Sequence, residues 1–286
     1  LYTMLTYSSA YKELAVALEA VYDGREAAAI AHEVMEHITG ATRLQRVTDK
    51  DKLLTVTEGE EYERLKSLLV TGMPMQYALG KAWFAGRQFM VNEHVLIPRP
   101  ETEELVKWIE DDSKGANVKL LDIGTGSGCI PISLKLSIPH AEVSAMDISM
   151  GALGVAKENA KRHQSDVDLF LFDFLDTSDW NELPKYDVIV SNPPYIPETE
   201  QHTMHTNVKD FEPGQALFVP GDDAQLFYRH IAEFGLVHLN EGGAVYCELH
   251  VDHATATQEL FKEAGYSFTE LRQDMHGNNR MLKAQK

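Results

Sequence analysis

The chain has 286 residues, of which 44% are hydrophobic and 24% are charged, a composition typical of a globular protein with one large or two modest domains. Its formal net charge of −18 argues against nucleic acid as a partner. No apolar run reaches the ~20 residues that span a bilayer, and no secretory signal is recognisable. The two cysteines, Cys129 and Cys247, lie in apolar segments and are expected to be buried free thiols. We therefore expect a cytoplasmic protein that does not contact a membrane.

Residues 1–75 predict a small helical bundle. Apolar residues recur at helical spacing in three segments, Ser9 to Tyr22, Arg25 to Thr39 and Thr57 to Val70. The third segment begins with a capping-box signature, Thr57 with Glu60 three residues later. Residues 76–100 have a β-type pattern, strongest at Trp83 to Val91 and Val95 to Ile97, and predict a β-hairpin that connects two domains.

From Val118 onward, segments with strand and helix patterns alternate. Strands are predicted over 118–123, 141–147, 167–172, 186–191, 243–249, 266–273 and 279–284, with helices between most of them. Alternation of this kind is typical of a mostly parallel sheet with helices on both faces. Ligands bind such sheets at the carboxyl ends of the strands, near the switch in strand order.

A glycine-rich turn follows the first of these strands. Gly124-Thr125-Gly126-Ser127-Gly128 lets the backbone approach a ligand closely, and the helix start that follows offers unpaired N–H groups. Asp147 ends the next strand, 23 residues after Gly124, where a carboxylate can accept from both ribose hydroxyls. Asp173 could accept from an adenine amine, and Phe174 could stack on the ring. The sequence therefore predicts a cofactor that contains a nucleoside.

The spacing of the turn favours S-adenosylmethionine. A dinucleotide fingerprint requires G-x-G-x-x-G, whereas the spacing here is G-x-G-x-G, and a phosphate-loop lysine is missing. Asp122, directly before the turn, would repel a pyrophosphate but suits a cationic amino-acid end.

A second special turn, Asn192-Pro193-Pro194-Tyr195, follows the strand over 186–191. The Asn192 side-chain oxygen can accept from an NH2 group, and Pro193 has a fixed φ that holds its carbonyl as a second acceptor. Tyr195 can cover the flat face of a bound group. The motif is suited to binding a planar amide or amidine nitrogen between these two acceptors, an arrangement that we call the grip. Alternatively, it is only a proline-rich turn. Methyl transfer to a nitrogen that is held in this way requires neither a catalytic histidine nor a metal. We interpret Glu198, Glu200, His202 and His205 as solvated residues.

With these residues in place, the chain closely resembles the HemK/PrmC family of protein-glutamine methyltransferases over nearly its whole length. Asn-Pro-Pro-Tyr alone is shared with adenine methyltransferases, but its combination with Ile97-Pro98-Arg99-Pro100-Glu101-Thr102-Glu103 is far more specific. The other shared motifs are Gln76-Tyr77-x-Leu79-Gly80, Phe84-x-Gly86, Phe89, Asp122 to Gly128, Asp147, Glu212-Pro213 and Asn279-Arg280. The chain departs from the family pattern at Cys129 and at Leu249-His250, and Asp173-Phe174 matches a position where the aromatic residue varies within the family.

The resemblance implies a Rossmann-like class I methyltransferase domain over 101–286, with a seven-stranded, mostly parallel sheet. It implies that S-adenosylmethionine is converted to S-adenosylhomocysteine without a metal, and that the helical domain docks peptide chain release factors. The implied reaction is methylation of the side-chain amide nitrogen of the glutamine in a Gly-Gly-Gln motif of these factors.

By position, the resemblance also assigns the site residues. It assigns five residues to the cofactor: Gly124, Gly126, Gly128, Asp147 and Phe174. To these we add Asp122, Thr125, Ser127, Asp173 and Asn192 as further expected cofactor contacts. Those assigned to the substrate are Asn192, Pro193, Pro194, Tyr195, Phe89, Arg99 and Pro100, with Asn192 and Pro193 as the catalytic pair. Two alternatives stay open: a nucleic-acid amino methyltransferase that uses the same grip, and a binding module that kept the fold without catalysis.

Overall fold

A computed structural model of the chain describes residues 5–197, 199 and 210–286. The chain divides into two compact units, which meet in sequence between Gly80 and Lys81. Residues 210 and 211 group with the first unit. Within the described ranges, no helix combines the length and the apolar character needed to cross a membrane.

The first unit is helical, as the sequence predicts. Its helices within residues 5–80 are α1 (Tyr7–Leu18), α2 (Gly24–Thr39), α3 (Arg43–Thr48), α4 (Val56–Leu69) and α5 (Met75–Leu79). The amphipathic faces of α1, α2 and α4 meet in one core that includes Leu14, Val34 and Leu65. The two remaining helices, α3 and α5, are too short to show a periodic apolar pattern, so the sequence does not reveal them.

The predicted capping box of α4 is wrong by two residues. The Thr55 side chain accepts from the Glu58 backbone N–H, and the Glu58 side chain accepts from the Thr55 N–H. The pattern Thr-x-x-Glu occurs at both 55–58 and 57–60, so the sequence alone does not separate the two registers.

The second unit begins with a hairpin of β1 (Lys81–Phe84) and β2 (Arg87–Met90). Its two turn residues, Ala85 and Gly86, have φ values of 48° and 72°, which is the backbone geometry of a tight hairpin turn. The predicted strand over 95–97 is wrong, because these residues do not form a strand and follow a turn in which the Val95 N–H donates to the Asn92 carbonyl.

A seven-stranded sheet forms the centre of the second unit and confirms the predicted fold class. Its strands are β3 (Lys119–Ile123), β4 (Glu142–Asp147), β5 (Asp168–Leu171), β6 (Tyr186–Ser191), β9 (Leu239–Glu248), β10 (Phe268–Gln273) and β11 (Asn279–Gln285). They lie in the order β10-β11-β9-β6-β3-β4-β5, and β11 is antiparallel to both of its neighbours. The short strands β7 (Ile196–Pro197) and β8 (Phe218–Val219) pair separately.

Helices cover both faces of this sheet. The helices of the second unit within the described residues are α6 (Pro100–Asp112), α7 (Cys129–Ser137), α8 (Met150–Arg162), α9 (Gly214–Leu217), α10 (Leu226–His238) and α11 (Ala254–Ala264), with 3-10 turns at Thr177–Glu182 and Val251–His253. Successive residues of a strand face opposite sides, so Leu120 and Leu121 belong to two different core clusters. This alternation explains the continuous apolar runs of β3 and β6.

The strand order reverses between β3 and β6. The chain passes from β3 to β4 and β5 on one side and then returns to the other side of β3 with β6. Ile123 and Ser191, the last residues of the two strands, are direct register partners. The glycine-rich turn and the Asn-Pro-Pro-Tyr turn therefore leave the sheet side by side, at its topological switch point.

Asn159 of α8 joins the hairpin to the glycine-rich turn. Its side-chain oxygen accepts from the Met90 N–H at 2.7 Å, and its amide donates to the Met90 and Ser127 carbonyls, both at 2.9 Å. The side chain is fully buried, so these three bonds satisfy groups that water does not reach.

We predict that Asn159→Ala destabilises the second unit by about 3 kcal/mol, since it leaves buried backbone groups without partners. Urea unfolding followed by tryptophan fluorescence measures this, because Trp83, Trp108 and Trp180, the three tryptophans of the chain, all lie in that unit. The exposed Asn117→Ala serves as the control and is expected to change stability by no more than about 0.5 kcal/mol. Equal effects of the two substitutions would contradict the proposed role of Asn159.

Candidate functional site

A cavity of about 580 Å³ opens at the switch point. The loops that follow four parallel strands line it with residues 124–127, 147–149, 172–175 and 191–194. Residues 93–96, 98–99 and 213–216 close its other sides. The cavity thus collects the strand ends at which the sequence predicts a cofactor and a substrate.

The glycine-rich turn forms the floor beside β3. The N–H groups of Gly124 and Thr125 both donate to the Met146 carbonyl, at 3.0 and 2.9 Å. Gly128 has a φ of 78°, and a Cβ there would lie 3.0 Å from Ile132 Cδ1 and 3.2 Å from Ala156 Cβ. Glycine is therefore required at this position both for the turn and for the packing of α7 against α8. Helix α7 begins directly after the turn, at Cys129.

Asp147 connects two of the lining loops. One carboxylate oxygen accepts from the Gly126 N–H at 2.8 Å, and the other accepts from the Ser149 N–H at 2.9 Å. Burial raises the pKa of this half-buried carboxyl group, and these backbone hydrogen bonds oppose the shift. A carboxylate oxygen can accept more than one hydrogen bond, so each retains capacity for a ligand hydroxyl.

Asp122 lies at the end of β3 but does not line the cavity. Its side chain is fully buried and makes no hydrogen bond of ordinary geometry within the described residues, although the Thr125 hydroxyl is close enough to favour the ionised form. Burial raises its pKa to about 7. The structure therefore does not bring Asp122 to the cavity surface, although its carboxylate would favour a cation bound nearby.

Phe174 and Asp173 both line the cavity after β5. The Phe174 ring stacks on Trp180 with centroids 5.3 Å apart, and the Trp180 indole N–H donates to the Phe174 carbonyl at 3.0 Å. Asp173 accepts from the Leu175 N–H at 3.1 Å. The aromatic ring is thus fixed by packing rather than by the loop alone.

The Asn192 side chain contacts the buried Thr102, which in turn contacts the buried Glu248. Its amide nitrogen lies 3.3 Å from the Thr102 hydroxyl, and this hydroxyl donates to the Glu248 carboxylate at 2.5 Å. Ser191 donates from its hydroxyl to the Ile123 carbonyl at 2.8 Å, which ties the two strand ends together. Asn192, Pro193, Pro194 and Thr102 all line the cavity.

The sequence does not assign roles to Thr102 or Glu248. In the sequence, Thr102 is only one residue of a family motif. Glu248 is the last residue of an apolar strand, and that pattern predicts a core position rather than a polar site. A carboxylate in such a run is a weak signal for a buried polar site.

Arg99 also lines the cavity. Its guanidinium donates to Glu212 at 2.6 Å, and Glu212 also accepts from the Ile97 N–H at 3.3 Å. Because Glu212 is buried, the ion pair fixes both Arg99 and the segment before it. Glu212 is a second residue that the sequence shows only as part of a motif.

The structure does not bring Tyr195, Phe89 and Pro100 to the cavity. Tyr195 packs against the His250 ring at 5.5 Å, and Phe89 is fully buried between Phe84 and His163. Pro100 is exposed at the first turn of α6, and a separate groove includes it. The four residues interpreted as solvated, Glu198, Glu200, His202 and His205, lie outside the described residues.

Cys129 lines the cavity at the start of α7. Burial raises the pKa of its thiol to about 12, so it stays protonated and acts as a small core side chain. Over the described ranges, no group of three or more His, Cys, Asp or Glu side chains could hold a metal ion. The absence of a metal from the reaction stays a prediction.

Comparison with known proteins assigns the family. Residues 9–80 match the family described as PrmC N-terminal domain, and residues 101–212 match Methyltransferase small domain. The chain is 40% identical to the release factor glutamine methyltransferase of Flavobacterium psychrophilum, over 93% of this chain and 94% of that protein. It is 39% identical to the enzyme of the same name from Bacteroides thetaiotaomicron, over 93% of this chain and 95% of that protein.

The chain belongs to the release factor glutamine methyltransferase family. A solved structure, the catalytic domain of hMettl16 in complex with a MAT2A 3′UTR hairpin, has a TM-score of 0.56 at 15% identity. The match covers 80% of this chain and 81% of that chain, and at this identity it supports the methyltransferase fold alone. The family resemblance inferred from the motifs is therefore confirmed.

Methyltransferases of this family use S-adenosylmethionine, and the cavity fits this cofactor. The buried Asp122 carboxyl group, whose pKa is raised by burial to about 7, would be stabilised in its ionised form by a cationic group over the glycine-rich turn. Asp147 retains acceptor capacity for ribose hydroxyls, and Phe174 offers an aromatic surface. We propose that seven residues that line the cavity hold the cofactor: Gly124, Thr125, Gly126, Ser127, Asp147, Asp173 and Phe174. Gly128 does not line the cavity and shapes the turn, and we assign Asn192 to the substrate.

We predict that Asp147→Ala raises the dissociation constant of S-adenosylmethionine by about 10- to 100-fold, because hydrogen bonds to a charged group are lost. Isothermal titration calorimetry measures the effect directly. Asp168→Ala is the matched control, because Asp168 is exposed and lies at the end of β5 away from the cavity. It should leave the dissociation constant unaltered. An unaltered constant for Asp147→Ala would refute the assigned role.

Proposed function

We propose that this protein transfers a methyl group from S-adenosylmethionine to the side-chain amide nitrogen of a glutamine. The substrate is the glutamine of the Gly-Gly-Gln motif in peptide chain release factors. The observation that carries the proposal is that Asn192 and Pro193 line the same cavity as the glycine-rich turn. The two hydrogen-bond acceptors for the substrate amide and the turn that would bind the cofactor therefore lie next to each other, at the ends of the adjacent strands β6 and β3.

The chemistry explains why such a pair is needed. An amide nitrogen is a poor nucleophile, because its lone pair is delocalised into the carbonyl group. Acceptance of its two N–H bonds by the Asn192 oxygen and the Pro193 carbonyl would hold the nitrogen in line with the methyl carbon. The same two oxygens would stabilise the positive charge that grows on nitrogen during attack.

The bound cofactor supplies the methyl group from its sulfonium centre, and S-adenosylhomocysteine remains. The methylated nitrogen, now cationic, is strongly acidic and loses its proton to water, so no general base has to act first. His94 lines the cavity, but it packs against Gly151 at the start of α8, where a Cβ would lie 2.7 Å from His94 Cγ. We therefore assign no catalytic role to a histidine.

We also propose that the helical unit recognises the release factor and that the reaction takes place in the cytoplasm. The support for docking is the match of residues 9–80 to a domain characteristic of this family. Within this unit, exposed aliphatic side chains on α3, Leu44 and Val47, would be available to a protein partner.

Mass spectrometry tests the proposed reaction. We expect incubation with S-adenosylmethionine and a release factor to add one methyl group, located at the Gly-Gly-Gln glutamine by peptide fragmentation. Parallel reactions with DNA and RNA separate the alternative: methyl label in a nucleobase, with none in the release factor, would favour a nucleic-acid amino methyltransferase.

We predict that Asn192→Ala lowers kcat by about 100-fold or more, because the amide nitrogen loses a positioned acceptor. The dissociation constant of S-adenosylmethionine should change little. Initial rates and calorimetry on the same preparations measure both quantities, with the exposed Asn181→Ala as the control. Parallel loss of affinity and turnover would show that Asn192 mainly holds the cofactor.

We predict that deletion of residues 1–75 lowers kcat/KM for an intact release factor by at least about tenfold, since a docking surface contributes roughly 1.4 kcal/mol or more. Methylation of a short Gly-Gly-Gln peptide should decrease much less. Unchanged circular dichroism of the sheet and unchanged cofactor affinity are the controls for folding. A larger loss on the peptide than on the intact factor would refute docking by the helical unit.

A further inference from the structure

The proposed grip works in only one orientation of the Asn192 carboxamide. The oxygen accepts a hydrogen bond from the substrate NH2, whereas the Asn192 amide nitrogen is itself a donor. A rotation of about 180° about the last side-chain bond would set donor against donor. Because the two orientations have almost the same shape, packing alone discriminates poorly between them. A neighbouring polar group must therefore select the orientation in which the Asn192 oxygen faces the substrate.

The Thr102 hydroxyl has one proton, and its position decides the orientation. This hydroxyl lies 2.5 Å from the Glu248 carboxylate, a distance typical of a strong O–H···O⁻ bond. An ionised carboxylate can only accept, so the proton of Thr102 points to Glu248. Towards Asn192 the hydroxyl then offers only lone pairs. The Asn192 nitrogen, 3.3 Å away, is the end that can bind there, and the oxygen points away from Thr102.

We propose that Glu248, acting through the Thr102 hydroxyl, sets the orientation of the Asn192 carboxamide and so presents its oxygen to the substrate nitrogen. This inference rests on the proposed function of Asn192. Thr102 and Glu248 are positioning residues, since Glu248 does not line the cavity and acts only through Thr102. We call Asn192, Thr102 and Glu248 the orienting chain.

The fold holds each member of the orienting chain firmly. Thr102 lies in the first turn of α6, where its N–H donates to the Arg99 carbonyl. Glu248 ends β9, and the Tyr228 hydroxyl donates to its backbone carbonyl at 2.9 Å. The strand β9 is next to β6, with Cys247 in register with Ser191. Thr102 and Glu248 are 3% and 2% exposed, so water does not compete for their hydrogen bond.

A buried carboxylate inside a sheet is costly unless it is paired and hydrogen-bonded. A threonine hydroxyl alone would satisfy Asn192 in either amide orientation, since it can donate or accept. The carboxylate removes this ambiguity because it fixes where the proton goes. This need accounts for a glutamate at the end of the otherwise apolar strand β9.

The orienting chain should respond to pH. Burial raises the pKa of Glu248 to about 7, and the Thr102 hydrogen bond opposes this shift. Above that pH the carboxylate is ionised and the productive orientation is favoured. Below it, the protonated group can donate to Thr102, whose own proton can then turn to Asn192 and favour the inverted amide. Turnover is therefore expected to fall as the pH drops through about 7.

Other groups also face Glu248 and contribute to its titration. They are Arg280, Arg99, Glu101, Tyr195, Tyr228 and Cys129. Asp122 has a pKa raised into the same range by its own burial. The wild-type pH profile alone is therefore not decisive, and the difference between wild type and Glu248→Gln is the relevant quantity.

Thr102→Val tests the orienting chain, since it keeps the shape of threonine and removes the hydroxyl. We expect kcat to fall by about 10- to 100-fold, with the affinity for S-adenosylmethionine unchanged. Thr102→Ser, which restores the hydroxyl, should recover most of kcat. The matched control is Thr257→Val, which removes another fully buried threonine hydroxyl, on α11 and away from the cavity. It should affect stability and leave kcat unaltered.

The pH profile of Glu248→Gln is the second measurement, and it applies even if Thr102→Val fails to fold. The glutamine oxygen can still accept from Thr102, so a several-fold loss of kcat is expected at pH 8. The decrease of kcat between pH 8 and pH 6 should become much smaller than in the wild type. A wild-type-like profile in Glu248→Gln would overturn the inference.

The outcomes separate this inference from the proposed function. If Asn192→Ala retains full turnover, the grip itself is wrong. If Asn192→Ala is inactive while Thr102→Val keeps the wild-type kcat, the grip stands and the orienting chain is refuted.

Discussion

The site depends on one constraint, the direct pairing of the last residues of β3 and β6. Ile123 and Ser191 are register partners in parallel strands, and the Ser191 hydroxyl donates to the Ile123 carbonyl at 2.8 Å. Because the strand order reverses here, the two loops that follow diverge to opposite sides and leave a crevice between them. A loop suited to a methyl donor and a loop suited to an amide are therefore neighbours by topology. A slip in the register of either strand would separate them.

Several polar side chains around this crevice are buried, which normally destabilises a fold. Glu212 is satisfied by Arg99 and the Ile97 N–H, and Glu248 is satisfied by Thr102. Asp122 makes no hydrogen bond of ordinary geometry within the described residues, and the nearby Thr125 hydroxyl offsets its burial only in part. Proteins commonly break the rules of core composition at functional sites, and here the exceptions cluster behind one cavity. The preorganised dipoles they create are the kind that stabilise developing charge during a reaction.

Much of the architecture could be predicted from the sequence. The alternation of strands and helices predicted the fold class, and two turns rich in Gly, Asn and Pro predicted where the cavity opens. Local patterns sufficed because each of these signals lies within a few consecutive residues. The capping box of α4 shows the limit, since two overlapping Thr-x-x-Glu patterns differ only in how the preceding chain enters the helix.

The remaining features depend on contacts between distant parts of the chain. Thr102 meets Glu248 across 146 positions, and Arg99 meets Glu212 across 113. No local pattern could indicate these pairs, although both arginine and threonine belong to a motif that the family resemblance identified. Phe89 and Tyr195 illustrate the reverse case: their residue types suggested a ligand wall, whereas their contacts place them against other aromatic rings. The direction of a side chain from an irregular turn or short strand is decided by packing.

The most direct measurement is a crystal structure of the protein with S-adenosylhomocysteine and a peptide that contains Gly-Gly-Gln. The account predicts that the glutamine amide nitrogen lies within about 3 Å of both the Asn192 side-chain oxygen and the Pro193 carbonyl oxygen, facing the sulfur atom. A glutamine amide bound by other groups, with the Asn192 oxygen turned away from it, would contradict the account.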